Sequence, residues 1–336
     1  MKIRNTLIAL LSVFALGSMA PVEAHAARHH SSKKAVEAKS GKHAKAEKVS
    51  ARSSRREKAR HTAHAVPAVQ RAAVASAGPE IDNEGNPLLH SAAFMIADQA
   101  TGNVLLEKNS DAVLPIASIT KLMTAMVALD AWSDTSTVLV VKNQNRAIGQ
   151  TIDLVEGEQL TLDSLLHALL IHSGNDAALT IADNYPGGYA KFVEAMNAKA
   201  LSLRLSRTSF KNPSGIDQYG HVTTARDIAT LASIALSNPS ISSIVSKDKY
   251  VIIDITGNLK HELESTDKLL TELPGLIGGK TGWTTGAGEC FVSYVERGGR
   301  GIITVVLGST DRFGDTTRLV EWAYAHHTWT QVDSPR

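Results

Sequence analysis

Ser118 and Lys121 stand one helical turn apart in "PIASITKLMTAMV", residues 115–127. Ile119, Leu122, Met123, Met126 and Val127 form one apolar stripe at helical spacing, and Pro115 suits a helix entrance. Residues three apart on a helix are neighbours, so the hydroxyl and the amine meet beside a buried face. A serine hydroxyl is a weak nucleophile until a base takes its proton, and a neutral amine can be that base. The same pair also fits a helix cap followed by a lysine reaching to water. The spacing alone does not decide, because S-x-x-K occurs four times, at Ser31/Lys34, Ser118/Lys121, Ser246/Lys249 and Ser265/Lys268.

Two further polar clusters narrow the choice. Ser173-Gly174-Asn175 lies in "HSGND" between two helical segments, and S-x-N occurs once in the chain. Lys280-Thr281-Gly282 lies in "GGKTGWTTGAGEC" ahead of a strand-like run, and K-T-G also occurs once. Read singly, the first could be a cap and the second a strand-edge turn. Together they follow Ser118 at intervals of 55 and 107 residues. S-x-x-K, S-x-N and K-T-G in that order are the signature of β-lactamases and penicillin-binding proteins. "NPSGID" (212–217), "TTARDIA" (223–229), "LPIASITKLMTAMV" and "YPGGYAKFVEAMNAKALSL" extend the match over about residues 88–330. The chain resembles the low-molecular-mass penicillin-binding proteins, the serine D-alanyl-D-alanine peptidases, and within them the D-alanyl-D-alanine endopeptidase branch.

That resemblance implies roles. Ser118 would be the nucleophile and Lys121 its base, made neutral by semi-burial and by the nearby cation of Lys280. Ser173 would relay a proton between Lys121 and the leaving amine. Asn175 would bind the peptide carbonyl of the substrate. Lys280 and Thr281 would hold the carboxylate at its C-terminus. The strand at 280–285, with Gly282, would pair with the extended peptide. The backbone N–H groups of Ser118 and Trp283 would form the oxyanion hole. Peptidoglycan peptides are the implied substrates and β-lactam antibiotics the implied covalent inhibitors. No cofactor, no metal and no nucleic-acid partner is expected.

The elements that must position these residues follow from hydrophobic period. Runs at 92–97 and 103–108, parted by Gly102-Asn103, predict a hairpin. Helical periods follow at 161–174, 176–185, 189–203 and 224–236. Two strands around Gly298-Gly299-Arg300-Gly301 and an amphipathic helix beginning near Asp315 close the chain. Strands, helices, then strands suggest a mixed sheet with N- and C-terminal strands paired. The expected class is α+β, β-lactamase/DD-peptidase-like: a mainly antiparallel sheet flanked by helices, with an inserted all-helical lobe.

Composition divides the 336 residues. Residues 1–26 read as a signal peptide, with Lys2 and Arg4, a short apolar run, and Ala24 and Ala26 at an A-x-A site. Residues 27–78 carry 13 Lys/Arg against 3 Asp/Glu, a net charge of +10, leaving −9 on residues 79–336. With almost no large apolar side chains, this arm cannot offset its ordering entropy. It is either a solubilising linker or a tether to anionic envelope polymers. Its histidines, His29, His30, His43, His61 and His64, have no metal-ligand spacing. Residues 79–336 are the expected catalytic domain. Cys290, the single cysteine, reads as a small buried strand residue.

The expected location is periplasmic, with no C-terminal membrane anchor and no second β-rich domain after the core. These omissions and the branch strings favour an endopeptidase that cuts D-Ala–diaminopimelate cross-links. Gly174 is instead the form associated with carboxypeptidases, the alternative activity. A class A-like β-lactamase would place its deacylating Glu between S-x-N and K-T-G; Glu194 there reads as solvent-facing. A catalytically dead wall-binding protein would not need Ser118, Lys121, Ser173, Asn175 and Lys280 all intact.

Overall fold

The computed structural model describes residues 81–143, 146–327 and 329; the segments at 1–26 and 27–78 lie outside them. The strands are β1 (Ala93–Asp98), β2 (Val104–Lys108), β3 (Leu114–Pro115), β4 (Val138–Val140), β5 (Gln159–Thr161), β6 (Val222–Thr223), β7 (Lys249–Ile253), β8 (Lys260–Glu264), β9 (Leu276–Thr284), β10 (Gly288–Arg297) and β11 (Arg300–Ser309). The α-helices are α1 (Thr120–Ala131), α2 (Leu162–Leu170), α3 (Asn175–Asn184), α4 (Gly188–Ser202), α5 (Ala225–Leu236), α6 (Pro239–Val245) and α7 (Arg312–His326).

Five strands form one sheet in the order β2-β1-β11-β10-β9. β1 from the start of the described chain pairs with β11 near its end, Ile96 opposite Thr304. All four ladders are antiparallel, so the expected pairing holds without the parallel component of a mixed sheet. Side chains on β1 alternate between two cores, as the two-residue period of a strand requires. Met95 and Ala97 join the larger core with Leu122, Leu166 and Ile228 from the helices. Phe94 and Ile96 join the smaller one with Leu319, Val320 and Ala323 of α7. Each fully buried side chain of this size contributes roughly 1.5–3 kcal/mol. β9 is an edge strand whose one ladder partner is β10. Its other side borders an open cleft.

Local chemistry sets the helix starts. Thr161 and Thr224 accept from the backbone N–H of Ser164 and Asp227, and Asn238 caps α6 just before Pro239. Asp311 does the same for Gly314 at α7. The helix expected from Pro115 starts later. Pro115 is held in β3 against Val222, a 3₁₀ turn spans Ala117–Ile119, and α1 begins at Thr120. The helix expected to reach residue 174 stops at Leu170. The inserted segment also carries the hairpins β4–β5 and β7–β8, with α6 between its last long helix and the second hairpin. Alternation in β7 and β8 is weak to the eye because only Ile252 and Leu263 are buried in them. Among the described residues no single helix is long and apolar enough to cross a membrane.

One buried histidine fixes the loop that carries Ser118. His221 Nδ1 accepts from the N–H of Lys211 (2.9 Å). Its Nε2–H therefore faces Thr120 Oγ1 (2.8 Å), and Thr120 donates to Ala117 O (2.8 Å). Burial, with Lys211 nearby, pushes the imidazole down to about 4. The neutral form is thus favoured in the fold, and stability drains as pH falls from about 6.5 toward about 4. Urea unfolding at pH 7 and pH 4.5 should show wild type losing about 2 kcal/mol more than His221→Gln over that interval. Equal losses would mean the imidazole does not carry this linkage.

Candidate active site

Ser118 lies on the floor of a cleft of about 490 Å³, in the turn leading into α1. Ala117 before it has φ of +52°, as does Ser173 at +64°. Such left-handed positions cost a non-glycine residue roughly 1–3 kcal/mol and persist only when the surroundings enforce them. The enforcing contact at Ala117 is Gly215. A Cβ there would fall 1.9 Å from Ala117 O, so only glycine admits the approach. Asn212 closes the same loop, accepting from Gly215 N (2.8 Å) and donating to Ile216 O (2.9 Å). Thr124 adds a bond to Pro213 O (2.7 Å).

Lys121 is fully buried. Its Nζ lies 2.6 Å from Asn175 Oδ1, 2.6 Å from Ser214 O and 2.9 Å from Ser118 Oγ. Two of these partners are carbonyl oxygens, which can only accept. A neutral amine has two N–H bonds and one lone pair. The two carbonyls take the N–H bonds, which leaves the lone pair facing the serine hydroxyl. Burial, and then the charge of Lys280, holds the amine well below the usual lysine range, against a smaller opposing effect of Asp176.

The second amine sits across the cleft on β9. Lys280 is also fully buried, and its Nζ donates to Ser173 Oγ (3.0 Å) and Thr281 O (3.0 Å). Burial, together with Arg312, pushes it down to about 7, while Asp267 works the other way. Asp267 is itself buried, and its carboxyl is pushed up to about 6. Thr281 Oγ1 meets Thr266 Oγ1 at 2.5 Å. Gly282 lets β9 close on the nucleophile, since a Cβ there would fall 2.9 Å from Ser118 N. Trp283 lines the cleft and is exposed.

The fold therefore gathers all eight expected residues, with two differences in wiring. Ser173 is held by Lys280, whereas a direct bridge from Ser173 to Lys121 was expected. The side chain of Asn175 is engaged at both ends, by Lys121 and by Ile148 O (2.6 Å). Other contributors escape a motif search. Ser214 acts through its backbone carbonyl, and side-chain identity gives no sign of that, although "NPSGID" marked the loop. Asp176, 2% exposed, accepts from Ile152 N (3.0 Å) and Leu154 N (3.1 Å) and so fixes the wall beside Asn175. Arg312 donates to Gly282 O (3.0 Å) from the start of α7, outside any motif.

Other residues fall out of contention. Cys290 is fully buried in β10 with its thiol pushed up to about 11 by burial. Glu194 is exposed on α4 and paired with Lys191 (2.6 Å), away from the cleft. Among the described residues no group of three or more His, Cys, Asp or Glu could hold a metal.

A family model described as D-alanyl-D-alanine carboxypeptidase matches residues 81–311. A D-alanyl-D-alanine endopeptidase of Pseudomonas aeruginosa is 35% identical over 240 residues, 70% of this chain and 77% of that protein. The D-alanyl-D-alanine carboxypeptidase DacF of Bacillus subtilis is 32% identical over 249 residues, 71% of this chain but 64% of that protein. The crystal structure of the Streptomyces K15 DD-transpeptidase superposes with a TM-score of 0.67 at 29% identity, covering 71% of this chain and 99% of that one.

The amine geometry yields a pH test. A base works above its pKa, so a lowered Lys121 should leave Ser118 reactive at neutral pH and silence it as pH falls. Reaction with a fluorophosphonate should rise through a midpoint well below 10.4. Lys121→Arg should slow it about 10²–10⁴-fold, because a guanidinium stays charged. Undiminished reaction in the Arg variant would remove Lys121 from the role of base.

Proposed function

Since the chain belongs to the D-alanyl-D-alanine carboxypeptidase family of serine peptidases, we propose that it cleaves D-alanyl bonds in peptidoglycan stem peptides through an acyl-enzyme on Ser118. We further propose D-Ala–diaminopimelate cross-links as the favoured bond. The observation that carries the reaction is the buried Lys121 amine, with both N–H bonds committed to carbonyls and the third direction filled by Ser118.

The steps follow from that arrangement. Lys121 takes the Ser118 proton as Oγ attacks the carbonyl carbon of a D-alanine. The N–H groups of Ser118 and Trp283 receive the oxyanion. Ser173, whose oxygen accepts from Lys280, gives its own O–H proton to the leaving nitrogen and takes up in exchange the proton that Lys121 removed from Ser118, so that Lys121 is neutral again. The C–N bond breaks, and the amine departs with its carboxylate held by Lys280, Thr281 and Arg312. The neutral Lys121 then takes a proton from water as its oxygen attacks the ester carbonyl, and returns that proton to Ser118 Oγ as the ester C–O bond breaks.

Support for the endopeptidase preference is of a different kind. Relatives named endopeptidase are 35% identical, while the carboxypeptidases compared are 28–32% identical. The carboxypeptidase reading draws on the cationic end of the cleft, which suits a terminal D-alanine equally well. The proposed setting is the periplasm. β-Lactams are the proposed covalent inhibitors, and the arm at 27–78 is the proposed contact with anionic wall polymers.

A fluorescent penicillin should label wild type on Ser118, and Ser118→Ala should abolish labelling without unfolding the protein. Chromatography of treated muropeptides should show cross-linked dimers consumed faster than monomeric pentapeptides. An adduct on another serine would displace the site; loss of pentapeptide with dimers intact would make the protein a carboxypeptidase.

A further inference from the structure

Ile148, Gly149 and Gln150 form one wall of the cleft. They belong to a segment, residues 147–158, that contains no helix or strand. Its backbone groups must therefore be satisfied from elsewhere. Part of the support comes from α3. Asn175 donates from its backbone N to Gln150 O (2.7 Å) and from Nδ2 to Ile148 O (2.6 Å). Asp176 accepts from Ile152 N and Leu154 N.

The rest comes from β8, where His261 and Leu263 share the inward face by the two-residue period of a strand. His261 Nδ1 meets Ile152 O at 2.9 Å, and its Nε2 meets Glu158 Oε1 at 2.7 Å. The second oxygen of Glu158 accepts from Val155 N (3.0 Å). The Glu158 side chain is fully buried and that of His261 is 11% exposed. A carbonyl only accepts, so Nδ1 carries a hydrogen and donates it to Ile152 O. One proton lies between Nε2 and Oε1 and completes the pair. Ile152 is thus gripped at both ends, its N–H by Asp176 and its C=O by His261.

That grip bears on the nucleophile through the amide of Asn175. Ile148 O can only accept, so it draws Nδ2 to the wall and leaves Oδ1 for Lys121. With an N–H of Lys121 spent on Oδ1, the lone pair of the neutral amine stays on Ser118. If Ile148 O withdrew, the amide could turn over and offer Nδ2–H to the amine. The lone pair would accept it, and Ser118 would lose its base.

We propose that His261, braced by Glu158, is a positioning residue for the Ser118–Lys121 pair: it fixes the wall at Ile152, and the wall orients Asn175. The inference rests on Lys121 as the base of Ser118. His261 and Glu158 are not among the residues lining the cleft, so their effect passes through the wall. Hydrogen bonding, rather than charge, is what the brace requires. Glu158→Gln can still accept from Val155 N and can donate to Nε2 of a neutral His261, whereas His261→Phe keeps a ring with no N–H.

Reaction of the full chain with a fluorophosphonate, followed across pH, tests this. His261→Phe should lower the plateau rate roughly 10–10²-fold. It should also move the midpoint to lower pH, because losing the Oδ1 acceptor disfavours the charged amine. Glu158→Gln should match wild type in both. A purely structural role would reduce the fraction of protein that reacts and leave the midpoint in place. If His261→Phe does not fold, Glu158→Met removes the brace while filling its space, and is read by the same shift. An unmoved midpoint in whichever of these two folds overturns the proposal, as does damage in Glu158→Gln equal to that in His261→Phe. Wild type that never reacts would instead overturn Ser118 and Lys121 as the reacting pair.

Discussion

The burial of one lysine amine is the constraint on which the rest of the molecule depends. Lys121 must be away from water to lose its proton, yet it must touch groups that use its two N–H bonds. The two acceptors and the hydroxyl that faces its lone pair come from different places: the amide from the start of α3, the carbonyl of Ser214 from the loop at 212–217, and the hydroxyl of Ser118 from the turn before α1. A fourth element, β9, brings the cation of Lys280. No single motif could supply all four. The sheet and the helical lobe exist, in functional terms, to bring these segments to one point.

Such a site is expensive. Two amines and the carboxyls of Asp176 and Asp267 are buried, and Ala117 and Ser173 hold left-handed backbone. An unpaired buried charge costs several kcal/mol, so each group is neutral or has partners close by. The two apolar cores on either face of the sheet offset these costs. They also make the site rigid, since close-packed interiors transmit small displacements rather than absorb them. Gly215 and Gly282 show how little slack there is: in each case a single added carbon would strike the segment carrying Ser118.

Much of this was legible in the sequence where local chemistry and periodicity agreed. The hairpin of β1 and β2, the four long helices and the paired C-terminal strands appear close to their expected positions. The eight candidate residues, which the fold gathers around one cleft, stood out because their order and spacing are rare in combination. What escaped was long-range or carried by the backbone. Arg312 reaches the site from α7 through a bond to Gly282 O, and a lone arginine at a helix start gives no such sign. Asp176, beside Asn175, accepts from the backbone of Ile152 and Leu154 across 22–24 residues. Pro115 favoured a helix entrance by propensity, and its pairing with Val222 prevailed. The attachment of Ser173 to Lys280 depends on how β9 meets the helical lobe, which no local pattern records.

The account stands or falls on the protonation state of Lys121. Its side chain can be followed by ¹³C-detected NMR of lysine-labelled protein, with Lys121→Met to assign the signal and Ser118→Ala to keep the site free of adducts. The geometry predicts an amine that titrates well below the ordinary lysine value of about 10.4. A signal that stays charged through pH 8 and titrates near 10.4 would contradict it, because Ser118 would then have no base.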